Sequence, residues 1–200
     1  MVNDIDFDNF ENNPDHTSPM HKERFANETE TDNGVTYDLP ENGTFEAYWG
    51  NGQLRYQWDY KDGKRADGES KGWWPDGSWK QIKTFKDGEL NGRYVEWYGD
   101  GLKKSEGLYK DGKQDGLWTW WFENGDKMSQ ITYNAGKLDG LWTEWHENRQ
   151  KYFRGSYKNG KKNGLLVEWY DNGQMSSKGI YKDGKMISQK FWNKDGSLKN

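Results

Sequence analysis

From residue 85 onward the chain repeats one pattern of apolar and polar positions every 24 residues. The units FKDGELNGRYVEWYGDGLKKSEGL (85–108), YKDGKQDGLWTWWFENGDKMSQIT (109–132), YNAGKLDGLWTEWHENRQKYFRGS (133–156) and YKNGKKNGLLVEWYDNGQMSSKGI (157–180) follow one another without a gap. A last unit opens at Tyr181. Residues 60–84 form an earlier unit with one extra residue near Arg65, and the match of 42–53 to 115–126 places the first unit's start near Thr36. About seven units therefore fill residues 36–200, and a repeat of this length is one supersecondary unit stacked on its neighbours.

Within each unit the apolar positions alternate with period two. Leu117, Thr119 and Trp121 fall on one side of a strand, and Trp118, Trp120 and Phe122 on the other. Asp-Gly or Asn-Gly pairs punctuate the unit three times: at its start (Asp111-Gly112), four residues on (Asp115-Gly116) and after the aromatic run (Asn124-Gly125). These pairs tolerate the positive φ of tight hairpin turns. The pattern predicts three turns per unit and two short strands, hence about 13–14 strands in an all-β, elongated, twisted antiparallel sheet. The side carrying Leu117, Thr119 and Trp121, with Val95 and Trp97 or Val167 and Trp169 at matching places, reads as structural. The other side reads as exposed.

The unit YKDGKxxGxWxxWxxNG resembles the MORN-repeat variant of bacterial antitoxin-like proteins, over about residues 42–200. Ala135-Gly136, Asn148-Arg149 and the insertion near Arg65 depart from it. The resemblance implies an array of β-hairpins and a role in protein–protein binding.

Composition narrows the function. Aromatics make up 16% of the chain, with 13 Trp, while all hydrophobic residues reach only 31%, which excludes a deep aliphatic core. There is no Cys, so disulfide and thiolate chemistry are excluded. The chain shows no secretory leader, and a cytoplasmic location is expected. Residues 1–41 hold 11 acids and 2 bases, a net of −9, and the remainder, with 22 acids and 27 bases, carries +5. That +5 is spread too thinly for a nucleic-acid footprint. Residues 1–35 are expected to be disordered or to cap the first hairpin, with Phe7, Phe10 and Phe25 as anchors.

No catalytic constellation stands out. Gly107 to Lys113 matches the start of a phosphate-binding loop, but Gln114 replaces the required Ser or Thr. The histidines are His16, His21 and His146, too sparse for a zinc site. We expect no enzyme activity, no cofactor and no metal. The aromatics carry the signal, because interface hot spots favour Trp and Tyr. The exposed side predicts a partner-binding surface of Tyr94, Tyr98, Trp118, Trp120, Phe122, Trp142, His146 and Tyr170. A protein partner is expected, no nucleic acid, no membrane, and a monomer. The role expected is a binding module such as an antitoxin, an immunity-like protein or a phage-style inhibitor. Two alternatives are an aromatic platform for carbohydrate or cell wall and a MORN-type membrane-surface array.

Overall fold

The computed structural model describes residues 30–32, 35–37 and 39–199, in two units. The expectations for Phe7, Phe10, Phe25, His16 and His21 lie outside the described residues. In the first unit β1 (Glu30–Asp32) and β2 (Val35–Tyr37) pair as a small antiparallel sheet; Thr36 lies here, and the large sheet starts at Gly43.

The second unit is one 14-stranded antiparallel sheet. Its strands are β3 (Gly43–Tyr48), β4 (Leu54–Lys61), β5 (Lys64–Arg65), β6 (Gly68–Trp73), β7 (Trp79–Lys86), β8 (Glu89–Trp97), β9 (Lys103–Lys110), β10 (Lys113–Trp121), β11 (Lys127–Asn134), β12 (Lys137–Trp145), β13 (Lys151–Lys158), β14 (Lys161–Trp169), β15 (Met175–Lys182) and β16 (Lys185–Phe191). Strand order follows the sequence without a crossover. The fold class read from the alternation is the one observed. The extra residue near Arg65 splits one strand in two: β5 pairs β4 beside the main path, and β6 resumes it.

Two kinds of turn close the hairpins. At the unit starts both central residues have positive φ, as at Asp111 (49°) and Gly112 (71°), the geometry that matches the twist of flanking strands. Ala135 takes the same conformation (49°) without an Asn or Asp side chain. The turns after the aromatic runs are closed by Asx bonds, such as Asn124 Oδ1 accepting from the Asp126 N–H at 2.9 Å. There Arg149 holds φ +69° where the other units have Gly.

The middle Asp-Gly is not a turn, contrary to the sequence expectation. It lies inside a continuous strand as a bulge. The β10 ladder to β11 runs unbroken from Gly116 to Trp120, while the ladder to β9 skips from Asp115↔Leu108 to Thr119↔Glu106. Gly116 (φ 73°) supplies the backbone kink. The preceding Asx side chain has a separate task, since it caps the first turn of the next unit. Asp115 Oδ1 accepts the Ala135 N–H (3.2 Å), as Asn42 does for Asp62 (3.0 Å) and Asn163 for Asp183 (3.3 Å). Each cap reaches 20 residues along the chain and welds one repeat to the next.

Candidate functional site: two faces of a single sheet

Register pairs place side chains on common faces, because directly opposed residues in an antiparallel ladder point the same way. One face is the core face. On it Tyr94, Trp118, Trp142 and Leu166 occupy one position in successive repeats, with relative exposures of 5%, 2%, 4% and 7%. Trp118 packs on Tyr94 (5.3 Å between ring centroids) and edge-on to Tyr109 (5.0 Å). Its indole N–H donates to the Leu108 carbonyl at 2.9 Å, beside the stretch of ladder that the bulge leaves open. Opposite lies Gly107, where an added Cβ would come within 2.3 Å of the indole. The ring therefore lies flat on bare backbone. Burial first, then Glu96, pushes the Tyr94 hydroxyl above its ordinary range.

This corrects the face assignment made from sequence. Tyr94, Trp118 and Trp142 are not exposed; they form the core. Tyr98, His146 and Tyr170 are half-buried and tie consecutive repeats together. The Tyr98 hydroxyl donates to the Trp121 carbonyl (2.8 Å), the Tyr170 hydroxyl to the Trp192 carbonyl (2.9 Å), and His146 Nε2 lies 3.2 Å from the Trp169 carbonyl. His146 thus takes over a tyrosine's bonding position. Trp120 and Phe122 are partly exposed, and Trp120 stacks on Trp118 with centroids 5.5 Å apart. The structure brings Tyr94, Trp118 and Trp120 into one cluster, and places Tyr98, Phe122, His146 and Tyr170 along the turns at the strand ends.

The opposite, open face carries three rows. Trp97, Trp121, Trp145 and Trp169 form one, half-buried. Trp73, Trp79 and Trp97 stack at 5.1 and 6.1 Å, and farther along Lys103 and Lys127 sit over Trp121 and Trp145 at 5.7 and 6.0 Å, within reach of a cation–π attraction. Val95, Thr119 and Val167 lie in the middle row and are buried. The third row is apolar and open to solvent: Leu108, Leu117, Leu141, Leu165 and Ile180 are 45–55% exposed. Register places Leu117 opposite Thr132, Leu141 opposite Ser156 and Leu165 opposite Ile180. Leu117, Leu141 and Leu165 recur in the sequence at a spacing of 24, but the same regularity describes a core-facing row, so the spacing alone does not mark them as surface.

Three segments of this chain match the MORN repeat variant: residues 41–62, 114–135 and 162–183. Each MORN-variant segment starts one residue before a capping Asx (Asn42, Asp115, Asn163) and ends on the residue whose N–H it caps (Asp62, Ala135, Asp183). The matched MORN-variant unit is thus one hairpin plus the bond that docks it on the next. Such repeats mark a repeat-based binding module. No curated protein matches the chain.

Proposed function

We propose that this MORN-variant array is a protein-binding module whose open face docks a partner protein, acting as an antitoxin, an immunity-like protein or an inhibitor of that partner. The observation that carries this reading is the row Leu108, Leu117, Leu141, Leu165 and Ile180. Five aliphatic side chains stand 45–55% exposed on one face, and the buried rings of Tyr94, Trp118 and Trp142 lie on the other. Burying an aliphatic side chain of this size contributes about 1.5–3 kcal/mol, so a recurring row of them left in water, spaced by Thr132 and Ser156, is characteristic of an interaction site. Repetition at a fixed spacing gives a partner several equivalent anchors.

The test is affinity purification of the full chain from its native lysate beside a Leu117→Lys/Leu141→Lys variant. The variant is expected to keep its far-UV circular dichroism and melting temperature, because both positions are exposed. A stoichiometric protein retained by the parent and lost by the variant supports the reading. A partner that the variant holds equally well removes the open face from consideration.

A further inference from the structure

On the core face one row of residues crosses the sheet in unbroken register. It reads Gln81, Glu96, Ser105, Trp120, Ser129, Glu144, Phe153, Glu168, Ser177 and Phe191. It runs beside the buried rings and is partly open to solvent at Glu96, Trp120, Glu144 and Glu168. Two of its carboxylates are satisfied within their own hairpins: Ser105 donates to Glu96 (3.3 Å) and Ser177 to Glu168 (2.8 Å).

The centre of the row breaks this pairing. The hairpin of β10 and β11 has Trp120 where the carboxylate would be, so Ser129 has no acceptor in its own hairpin. The next hairpin has Phe153 where the serine would be, so Glu144 has no hydroxyl donor in its own. Ser129 is 5% exposed and its Oγ has no hydrogen-bond partner. A buried hydroxyl left unpaired costs about 1–3 kcal/mol. It faces Glu144 on one side and Trp120 on the other, each one strand away. None of Glu96, Glu144 and Glu168 enters an ion pair among the described residues. On β11 and β13 this face shows Ile131, Tyr133, Phe153 and Tyr157, with His146 at the end of β12, and the register also places Lys83 on it opposite Tyr94 and Lys162 opposite Tyr157.

We propose that Trp120, Ser129 and Glu144 form a receptor site for a cationic side chain, lysine or arginine, presented by an extended basic segment of a partner protein. Each element of the site matches that group. Glu144 supplies the counter-charge, Ser129 Oγ an acceptor for an N–H, and the partly exposed Trp120 ring a face for a cation. Charge-assisted bonds to ammonium or guanidinium groups are the strong ones. The next carboxylate, Glu168, lies two strands on, about 10 Å away, and one three-residue turn of a polyproline II segment covers about 9 Å and returns every third side chain to the same side. The occupant therefore carries basic residues three apart. This site lies on the face opposite the aliphatic row, so it stands or falls independently of the docking proposed there.

The experiment is calorimetric titration of the full chain with a synthetic peptide bearing lysine at every third position, and with its glutamate counterpart. The lysine peptide is expected to bind at one-to-one stoichiometry and the glutamate peptide not at all. Glu144→Gln/Glu168→Gln is expected to weaken binding about tenfold, and Ser129→Ala severalfold. Glu147→Gln, which removes an exposed carboxylate from a turn, leaves it unchanged. Equal affinity for the parent and the double variant would mean that the peptide senses only the chain's overall acidity, and overturns the site. So does absence of binding, or equal binding of the glutamate peptide. Since Ser129→Ala removes an unpaired hydroxyl and Glu144→Gln a half-buried charge, both variants are expected to fold, and their melting curves check this.

Discussion

Glu144 shows how a single side chain can be set against the fold that holds it. Its neighbours across the ladder are Ser129 and Phe153, and burial pushes its carboxyl up to about 7, with the Trp142 indole N–H as a smaller opposing influence. The sign of the consequence follows from proton linkage. At pH 4 the group is protonated in both states and contributes nothing. As the pH rises past 4.5 the unfolded chain releases the proton first, and the folded chain keeps it until about pH 7. Stability is therefore lost across that window, and the cost remains above it. Glu144→Gln is expected to raise stability by about 1–2 kcal/mol at pH 8 and to change it little at pH 4. Urea unfolding of both proteins at the two pH values checks this, and a pH-independent difference rejects it. Arg149 is a second local conflict, holding φ +69° without being glycine, with its guanidinium paired to Asp126 at 2.9 Å.

At the scale of the hairpin, the bulge and the bare backbone beneath Trp118 decide which face becomes the core. Gly107→Ala places a methyl group within 2.3 Å of the indole, and the ring has to leave its bond to the Leu108 carbonyl. A loss of about 2 kcal/mol is expected by denaturant titration, the usual size for overpacking. Gly99→Ala, at a site with open space around it, should stay within about 0.5 kcal/mol. The period, the two hairpin turns and the strand count were legible in the sequence, because alternation and Asp-Gly pairs are local signals. The buried face was not. Leu117 and Trp118 are both large and apolar, and a period of two assigns them to opposite sides without ranking the sides. The ranking comes from Gly107, which lies on another strand and belongs to the previous repeat. The Asp115-Gly116 pair misled for a related reason. Its composition is that of a turn, but its carboxylate bonds an N–H 20 residues away, a partner no local window contains. Leu108, Leu117 and Leu141 went unread as a surface because the same apolar regularity describes a core.

At the scale of the whole sheet, the welded hairpins make the repeats interchangeable. Trp142 occupies in its repeat the place of Trp118, and the capping bonds recur at the same spacing. Excising residues 109–132, which joins Leu108 to Tyr133, is expected to leave a folded all-β protein with a lower melting temperature, as nearest-neighbour energetics predicts. Circular dichroism melting tests this; an unfolded product would show that the central repeat is indispensable. The excision also removes Leu117, Trp120 and Ser129, so both proposed binding activities should weaken with it.

The order of the strands has a consequence during synthesis. Every strand of the main path pairs with those just before and after it along the path, so the separation between partners stays short throughout. A chain leaving the ribosome has no need to wait for a distant segment before its exposed strand edge is covered. Each unit of about 24 residues covers the edge left by the one before, so that beyond the starting edge at β3 only the newest one is open at any moment. A sheet of fourteen strands built from non-local pairings would fold slowly and expose its edges meanwhile; this one can grow at the pace of translation.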